Sequence, residues 1–249
     1  MRSIPAWLVT EYCDELDLGV VKTGKEAQIN LIQRNDHGGR TCVFARKRYL
    51  PREVKYKGQL QALGVQRAST FRNDVQYREG RQFRKTRDRR AVERMSTYGK
   101  HLLQDRWTGH EHEVMTRLWR AGMAVPYPIG YEDDVFDLEF IGDLEQAAPQ
   151  LQSARLDRHQ LEHAFEQLLI GMETMVIEGY AHGDLSAYNL LWWSDTLWFI
   201  DFPQAVDIAA NPQGVQFLHR DVLNVCDWFA RKGVSVDAEQ VFADLLGRA

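Results

Sequence analysis

The period of the apolar positions changes several times along this chain, and each change marks an element. Gly19 to Gln33 predicts two short strands joined by a turn at Gly24. Asp36-His-Gly-Gly is a hairpin turn signal ahead of a third strand from Arg40 to Tyr49. Between Trp107 and Ala121 the period becomes helical: Glu111, Met115, Leu118 and Trp119 fall on one face, and Gly122 follows as a stop. Pro126 and Pro128 block further helix. Val135 to Ile141 reads as a buried strand.

The clearest helix opens at Asp157. Asp157 caps it, Gln160 completes a capping box, and Leu156 and Leu161 are spaced for a hydrophobic staple. Its apolar face runs from Leu161 through Phe165, Leu168 and Met172 to Val176, and Gly179 ends it. Two short apolar runs, Leu190–Trp193 and Thr196–Ile200, form a hairpin about Ser194-Asp195. Two more helices follow, one across His219–Arg231 and one capped at Asp237 running to Leu246. A strand-rich first part and a mainly helical second part make an α+β arrangement of two lobes, with the junction at Phe140–Asp143. Met and Trp residues on these helices read as core and imply no cofactor.

Length and composition fit this picture: 249 residues, 44% hydrophobic and 27% charged, suffice for a sizeable core. The formal charge of -4 excludes a chain that is basic throughout. The charge is unevenly spread, however. Lys55 to Arg94 holds twelve basic residues against four acidic ones. That segment reads either as a solvated loop or as a surface for an anionic partner, such as RNA, phosphate or an acidic protein. Cys13, Cys42 and Cys226 are scattered, which argues against a disulfide scaffold or zinc module and for a reducing, cytoplasmic setting. No signal peptide and no run of membrane-spanning length is visible.

The chemistry concentrates in His182-Gly-Asp184-Leu-Ser186-Ala-Tyr-Asn189, which lies after a long helix and before the hairpin that ends in Ile200-Asp201-Phe202. Asp184, Asn189 and Asp201 can therefore gather on loops at one end of that hairpin. Phosphoryl transfer needs such a set: a carboxylate to orient the attacking hydroxyl and take its proton, and hard oxygen ligands to hold Mg²⁺ on nucleotide phosphates. Asp184 fits the first role, and Asn189 and Asp201 the second. His182 is better placed to brace the loop than to act as a base. Gly24, within Lys22-Thr23-Gly24-Lys25-Glu26-Ala27, lets backbone N–H groups approach phosphates. Lys47 on the third strand can pair with phosphates, with Glu111 as the helix carboxylate that holds it. Arg46 and Arg48 would then face the other way.

These motifs together resemble the RIO family of atypical serine/threonine protein kinases. The resemblance covers about Trp7 to Phe242. It is carried by Thr23-Gly-Lys-Glu-Ala27, Ala45 with Lys47, Trp107 with Glu111, Phe140-Ile-Gly142, His182 to Asn189, Ile200-Asp-Phe-Pro-Gln-Ala-Val206, and the stretch from Phe217 through Asp221, Asn224 and Asp227 to Phe229. It implies one bilobal kinase-like domain over residues 1–249. The N-lobe would span about 1–141, with an Arg-rich loop at 55–100, and the C-lobe about 142–249. By resemblance, Asp184 is the catalytic aspartate and Asn189 and Asp201 are metal ligands. Lys47, paired with Glu111, contacts the nucleotide. Thr23, Gly24 and Lys25 cover its phosphates, Glu139 to Ile141 form the hinge that reads adenine, and Ser186 sits near the phosphates. ATP and Mg²⁺, with Mn²⁺ as a substitute, are the implied cofactors.

The resemblance further implies a protein substrate or self as acceptor, with Ser69, Thr70 and Ser96 available for autophosphorylation, and an ATPase route through phosphorylated Asp201. No winged helix precedes residue 20, so the expected branch is the one without it, in a short bacterial or archaeal form. Pro203 replaces the glycine of the ordinary Asp-Phe-Gly. Two other readings compete: a small-molecule phosphotransferase of the aminoglycoside or choline kinase type, and an ATP-gated factor that contacts ribosomal subunits or RNA through the Arg-rich segment 55–94. Nothing in the sequence sets the oligomeric state.

Overall fold

The computed structural model describes residues 2–11, 14–24, 27–50 and 97–248, with the side chains of 97–107 outside that description. Lys25, Cys13 and the Arg-rich segment, with Ser69, Thr70 and Ser96, lie outside the described residues. Five antiparallel strands make the main sheet: β1 (Asp14–Thr23), β2 (Ala27–Asn35), β3 (Thr41–Tyr49), β4 (Pro128–Glu132) and β5 (Val135–Glu139), in the order β1-β2-β3-β5-β4. Helix α1 (Thr97–Arg120) packs against β4 and β5. The second half holds α2 (Arg158–Ile177), α3 (Gly214–Arg231) and α4 (Ala238–Leu246). Two small pairs lie among them: β7 (Leu190–Trp193) with β8 (Thr196–Phe199), and β6 (Tyr180–Ala181) with β9 (Val206–Asp207).

Local sequence explains most of these elements. Asp157 accepts from Gln160 N at 2.9 Å while the Gln160 side chain accepts from Asp157 N at 3.1 Å, so the capping box forms. Gly179, at φ +84°, follows the end of α2. Asp237 caps α4 through Glu239 N and Gln240 N.

Several boundaries differ from the sequence pattern: β1 begins at Asp14 rather than Gly19, and β5 ends at Glu139 rather than Ile141. Helix α1 begins ten residues before Trp107, α3 begins at Gly214 rather than His219, and Pro128 opens strand β4 instead of only ending a helix. Proline is tolerated at the first position of an edge strand, where no ladder bond is lost.

Cross-strand register sorts the sheet into two faces. One face carries Leu31, Val43, Ala45, Lys47, Leu138 and Phe136. Phe136 joins Val114, Met115 and Leu118 of α1 in the main core, which runs on without a break through Leu168, Met172, Leu185, Phe199, Phe202 and Val222. The other face carries a small second core of Leu8, Val9, Ile32, Cys42 and Phe44, and beside it an ion-pair cluster. Arg46 meets Asp137 at 2.8 Å and Glu15 at 2.9 Å, and Arg34 meets Glu15 at 2.9 Å. Carboxylates on the same face, Asp137 of adjacent β5 and Glu15 of β1, thus account for Arg46 beside Lys47. A polar cavity of about 500 Å³ lies on this face, lined in part by Glu15, Asp17, Asn30 and Arg48.

Candidate active site

The cleft face of β3 aims Lys47 at two carboxylates. Its Nζ donates to Glu111 Oε1 at 2.8 Å and Oε2 at 3.0 Å, and to Asp201 Oδ1 at 2.7 Å. Lys47 and Glu111 are buried, whereas the Asp201 side chain is 46% exposed at the cleft. Burial alone would lower the Lys47 pKa, but the charges of Asp201 and Glu111 outweigh it and raise it well above the usual value. In the same way Lys47 overcomes the effect of burial on Asp201 and holds its carboxyl below the usual range.

Glu111 has further partners. The Tyr49 hydroxyl donates to Oε2, and Phe202 N donates to Oε1 at 3.1 Å. One carboxylate from α1 therefore fixes Lys47, Tyr49 and the backbone just after Asp201. Asp201 itself stands at φ +71°, a left-handed conformation few non-glycine residues adopt. The Lys47 ion pair on one side and fully buried Phe202 on the other hold it there.

Asp184 and Asn189 sit on the loop between β6 and β7. Asn189 Nδ2 donates to Asp184 O at 2.8 Å, and Ile200 N donates to Asn189 O at 3.1 Å, which joins this loop to the strand leading into Asp201. With its amide nitrogen spent, Asn189 has Oδ1 to offer a cation. Desolvation raises the Asp184 pKa, with the Asp201 charge adding to it and His182 opposing. Ser186 is part of the same turn, its carbonyl accepting from Asn189 N at 2.9 Å.

Three residues of α3 clamp this loop from below. Buried Asp221 accepts from Gly183 N at 2.7 Å and Leu185 N at 3.0 Å, Arg220 donates to Gly183 O, and Asn224 Nδ2 donates to Leu185 O at 3.3 Å. Gly183 is at φ +80°, and a Cβ there would lie 2.2 Å from Gln204 O. His182 braces the other side, its Nε2 at 3.1 Å from Ile200 O and its ring 4.7 Å from that of Phe202. Sequence reasoning assigned no role to Asp221 or Tyr49. A carboxylate on the otherwise apolar face of α3, beside Phe217, Leu218, Val222 and Val225, was the available signal.

The chain after Asp201 is short and closed. Ala205 N donates to Phe202 O at 3.0 Å, Ala205 O meets His110 Nε2 of α1 at 2.8 Å, and Val206 already pairs with Ala181. Thr23 ends β1 opposite Gln28, and Gly24 N closes the turn onto Ala27 O at 2.8 Å. At the junction, the half-buried Glu139 carboxylate accepts from Tyr127 N at 3.0 Å, with its pKa raised by desolvation, and Ile141 O accepts from Ala148 N at 2.9 Å.

Asp184, Asn189, Asp201, Lys47 and Glu111 are thus brought together, with Ser186 adjoining and Thr23 and Gly24 at the turn between β1 and β2. Among the described residues no cluster of three His, Cys, Asp or Glu could hold a metal ion. The oxygens of Asp201 and Asn189 suit a hard divalent cation that completes its shell with phosphate and water oxygens, as Mg²⁺ does.

A strand-rich lobe and a helical lobe meeting at a Lys–Glu–Asp cluster define a protein-kinase-like fold. The RIO domain sequence profile matches residues 64–241, and the chain belongs to the RIO family of atypical serine/threonine protein kinases. It is 33% identical over 135 residues to the RIO-type serine/threonine-protein kinase Rio1 of Thermoplasma acidophilum, covering 54% of this chain and 69% of that one. A probable RIO1 homolog of Encephalitozoon cuniculi is 28% identical over 232 residues, covering 92% and 58%. Against the mammalian RIO3 kinases the chain spans 28% of their length. The crystal structure of a Rio2 kinase–ADP/Mg²⁺–phosphoaspartate complex from Chaetomium thermophilum shares the fold at a TM-score of 0.62 and 19% identity, covering 94% of this chain and 62% of that one.

Proposed function

We propose that this chain is an ATP- and Mg²⁺-dependent serine/threonine protein kinase acting on a protein substrate or on itself. The observation that carries the reading is the bridge of Lys47 Nζ between Glu111 and Asp201, set beside an Asn189 whose amide is spent on the Asp184 backbone. In this reading Asp184 accepts the proton of the attacking hydroxyl as the γ-phosphoryl group of ATP transfers to it and ADP leaves. Lys47, held by Glu111, contacts the phosphates. Thr23, Gly24 and Lys25 cover them, Ser186 lies beside them, and the backbone of Glu139 and Ile141 reads adenine.

Asn189 and Asp201 hold the Mg²⁺, which when bound neutralises charge on the phosphate oxygens; Mn²⁺ has the same oxygen preference. The lobes divide at about residue 141, and the unpaired buried thiols of Cys42 and Cys226 fit a reducing, cytoplasmic setting. Among the described residues no helix is long and apolar enough to cross a membrane.

Asp201 is also the candidate phospho-acceptor for an ATPase route: its carboxylate is half exposed, and the similar Rio2 kinase structure is an ADP/Mg²⁺–phosphoaspartate complex. Membership of a protein kinase family does not favour the small-molecule phosphotransferase reading. The Arg-rich segment 55–94 remains the proposed surface for ribosomal subunits or RNA. Incubation of the full chain with γ-labelled ATP and Mg²⁺ tests the reading. Acid-stable label in Ser or Thr of protein is the expected result, and label found only in a small-molecule acceptor would overturn it.

A further inference from the structure

Strand β1 does not alternate regularly as it approaches the turn. Val20 lies opposite Asn30, on the outer face with Arg46, yet Lys22 lies opposite Ile29, and Val21 is the extra residue of a β-bulge between them. Unbroken alternation would put Val21 opposite Ile29 and turn Lys22 to the outer face, with Gln28 and Arg48. The bulge reverses this. Lys22, Ile29, Lys47 and Phe136 form one row across β1, β2, β3 and β5, so Lys22 shares the cleft face with Lys47, two strands away or about 10 Å.

Bulges recur beside active sites because one extra residue re-aims a side chain. Lys22 is exposed on that face. Electrostatics gives this placement a use. A nucleotide triphosphate brings more negative charge than Lys47 can meet, since that ammonium already serves Glu111 and Asp201.

We propose that Lys22 is a phosphate-binding residue, delivered by the Val21 bulge to the cleft face of β1 so that it contacts the terminal phosphates of the bound nucleotide from the side opposite Asp201. This role rests on the nucleotide reading above. It assigns the contact to a side chain of the strand, in addition to the backbone of the turn at Gly24.

The test compares Mg-ATP, Mg-ADP and adenosine binding by calorimetry to the full-length wild type, Lys22→Met and Lys22→Arg. A charge-assisted contact predicts that Lys22→Met weakens Mg-ATP binding roughly tenfold. The loss should be smaller for Mg-ADP and absent for adenosine, and Lys22→Arg should restore most of it. Unchanged Mg-ATP affinity in Lys22→Met overturns the role. So does an equal loss for adenosine, which would mark Lys22 as part of the packing of the sheet. A wild type that binds adenosine nucleotides without any gain from the phosphates overturns Lys22 alone, whereas one that binds none of the three ligands overturns the nucleotide reading and Lys22 with it.

Discussion

Lys47, Glu111 and Asp201 form a charge cluster whose worth depends on pH. Asp201 has a lowered folded pKa, so its contribution to stability is present above the unfolded value of about 3.9 and is lost as pH falls through the folded one. Lys47 has a raised folded pKa, so its contribution is complete below about 10.4 and is lost as pH rises through the folded value. Between those limits the cluster is intact. Lys47→Met removes the cation from buried Glu111 and should cost roughly 3 kcal/mol at neutral pH. It should also flatten the acid limb, because Asp201 loses the partner that lowers its pKa. Urea unfolding at pH 7 and at pH 3.5 checks both; an acid limb as steep as in the wild type would remove Lys47 from the cluster. Asp184, Asn189 and Asp201 were legible in the sequence because the loop and the hairpin fix their spacing. Lys22 was not, since a bulge is invisible to alternation, and nor was Tyr49, whose partner lies 62 positions away on α1.

Among the elements, those set by local chemistry could be read in advance and those set by distant pairing could not. The capping box of α2 needs only Asp157 and Gln160, four positions of chain. The first turns of α1 lack an apolar stripe before Trp107, so the period gave no early start. The pair β6 and β9 is two residues long on each side and joins positions about 26 apart, too short and too distant for any pattern to show. Yet that pair, with α3, holds the loop that carries Asp184. Asp221→Ala should leave the N–H groups of Gly183 and Leu185 unpaired in a buried site, at about 1–3 kcal/mol each. Asp221→Asn keeps one acceptor and should recover about half. Thermal unfolding measures the difference, and a shift no larger for Ala than for Asn would mean that α3 does not support the loop through this carboxylate.

Taken as a whole, the molecule has a main core continuous from α1 and Phe136 through Phe202 to α3, so the lobes are not separately packed bodies. The sites of both lobes are therefore fixed relative to each other by the same apolar contacts: Lys47 and Glu111 from the first lobe, and Asp184, Asn189 and Asp201 from the second. The outer face of the sheet spends its charges on itself, through Arg34, Arg46, Glu15 and Asp137, while across the cleft from the other face Asp184 of the loop between β6 and β7 is exposed. This asymmetry places the chemistry on one side of the sheet, in one cleft. Phosphate transfer from labelled ATP to protein by wild type and Asp184→Ala, with Mg-ATP affinity measured on the same preparations, tests that claim most directly. Transfer should fall at least about 100-fold, as for loss of a proton-accepting group, with affinity changed less than about threefold because Lys47, Asn189 and Asp201 are untouched. Transfer at the wild-type rate by Asp184→Ala would contradict the account.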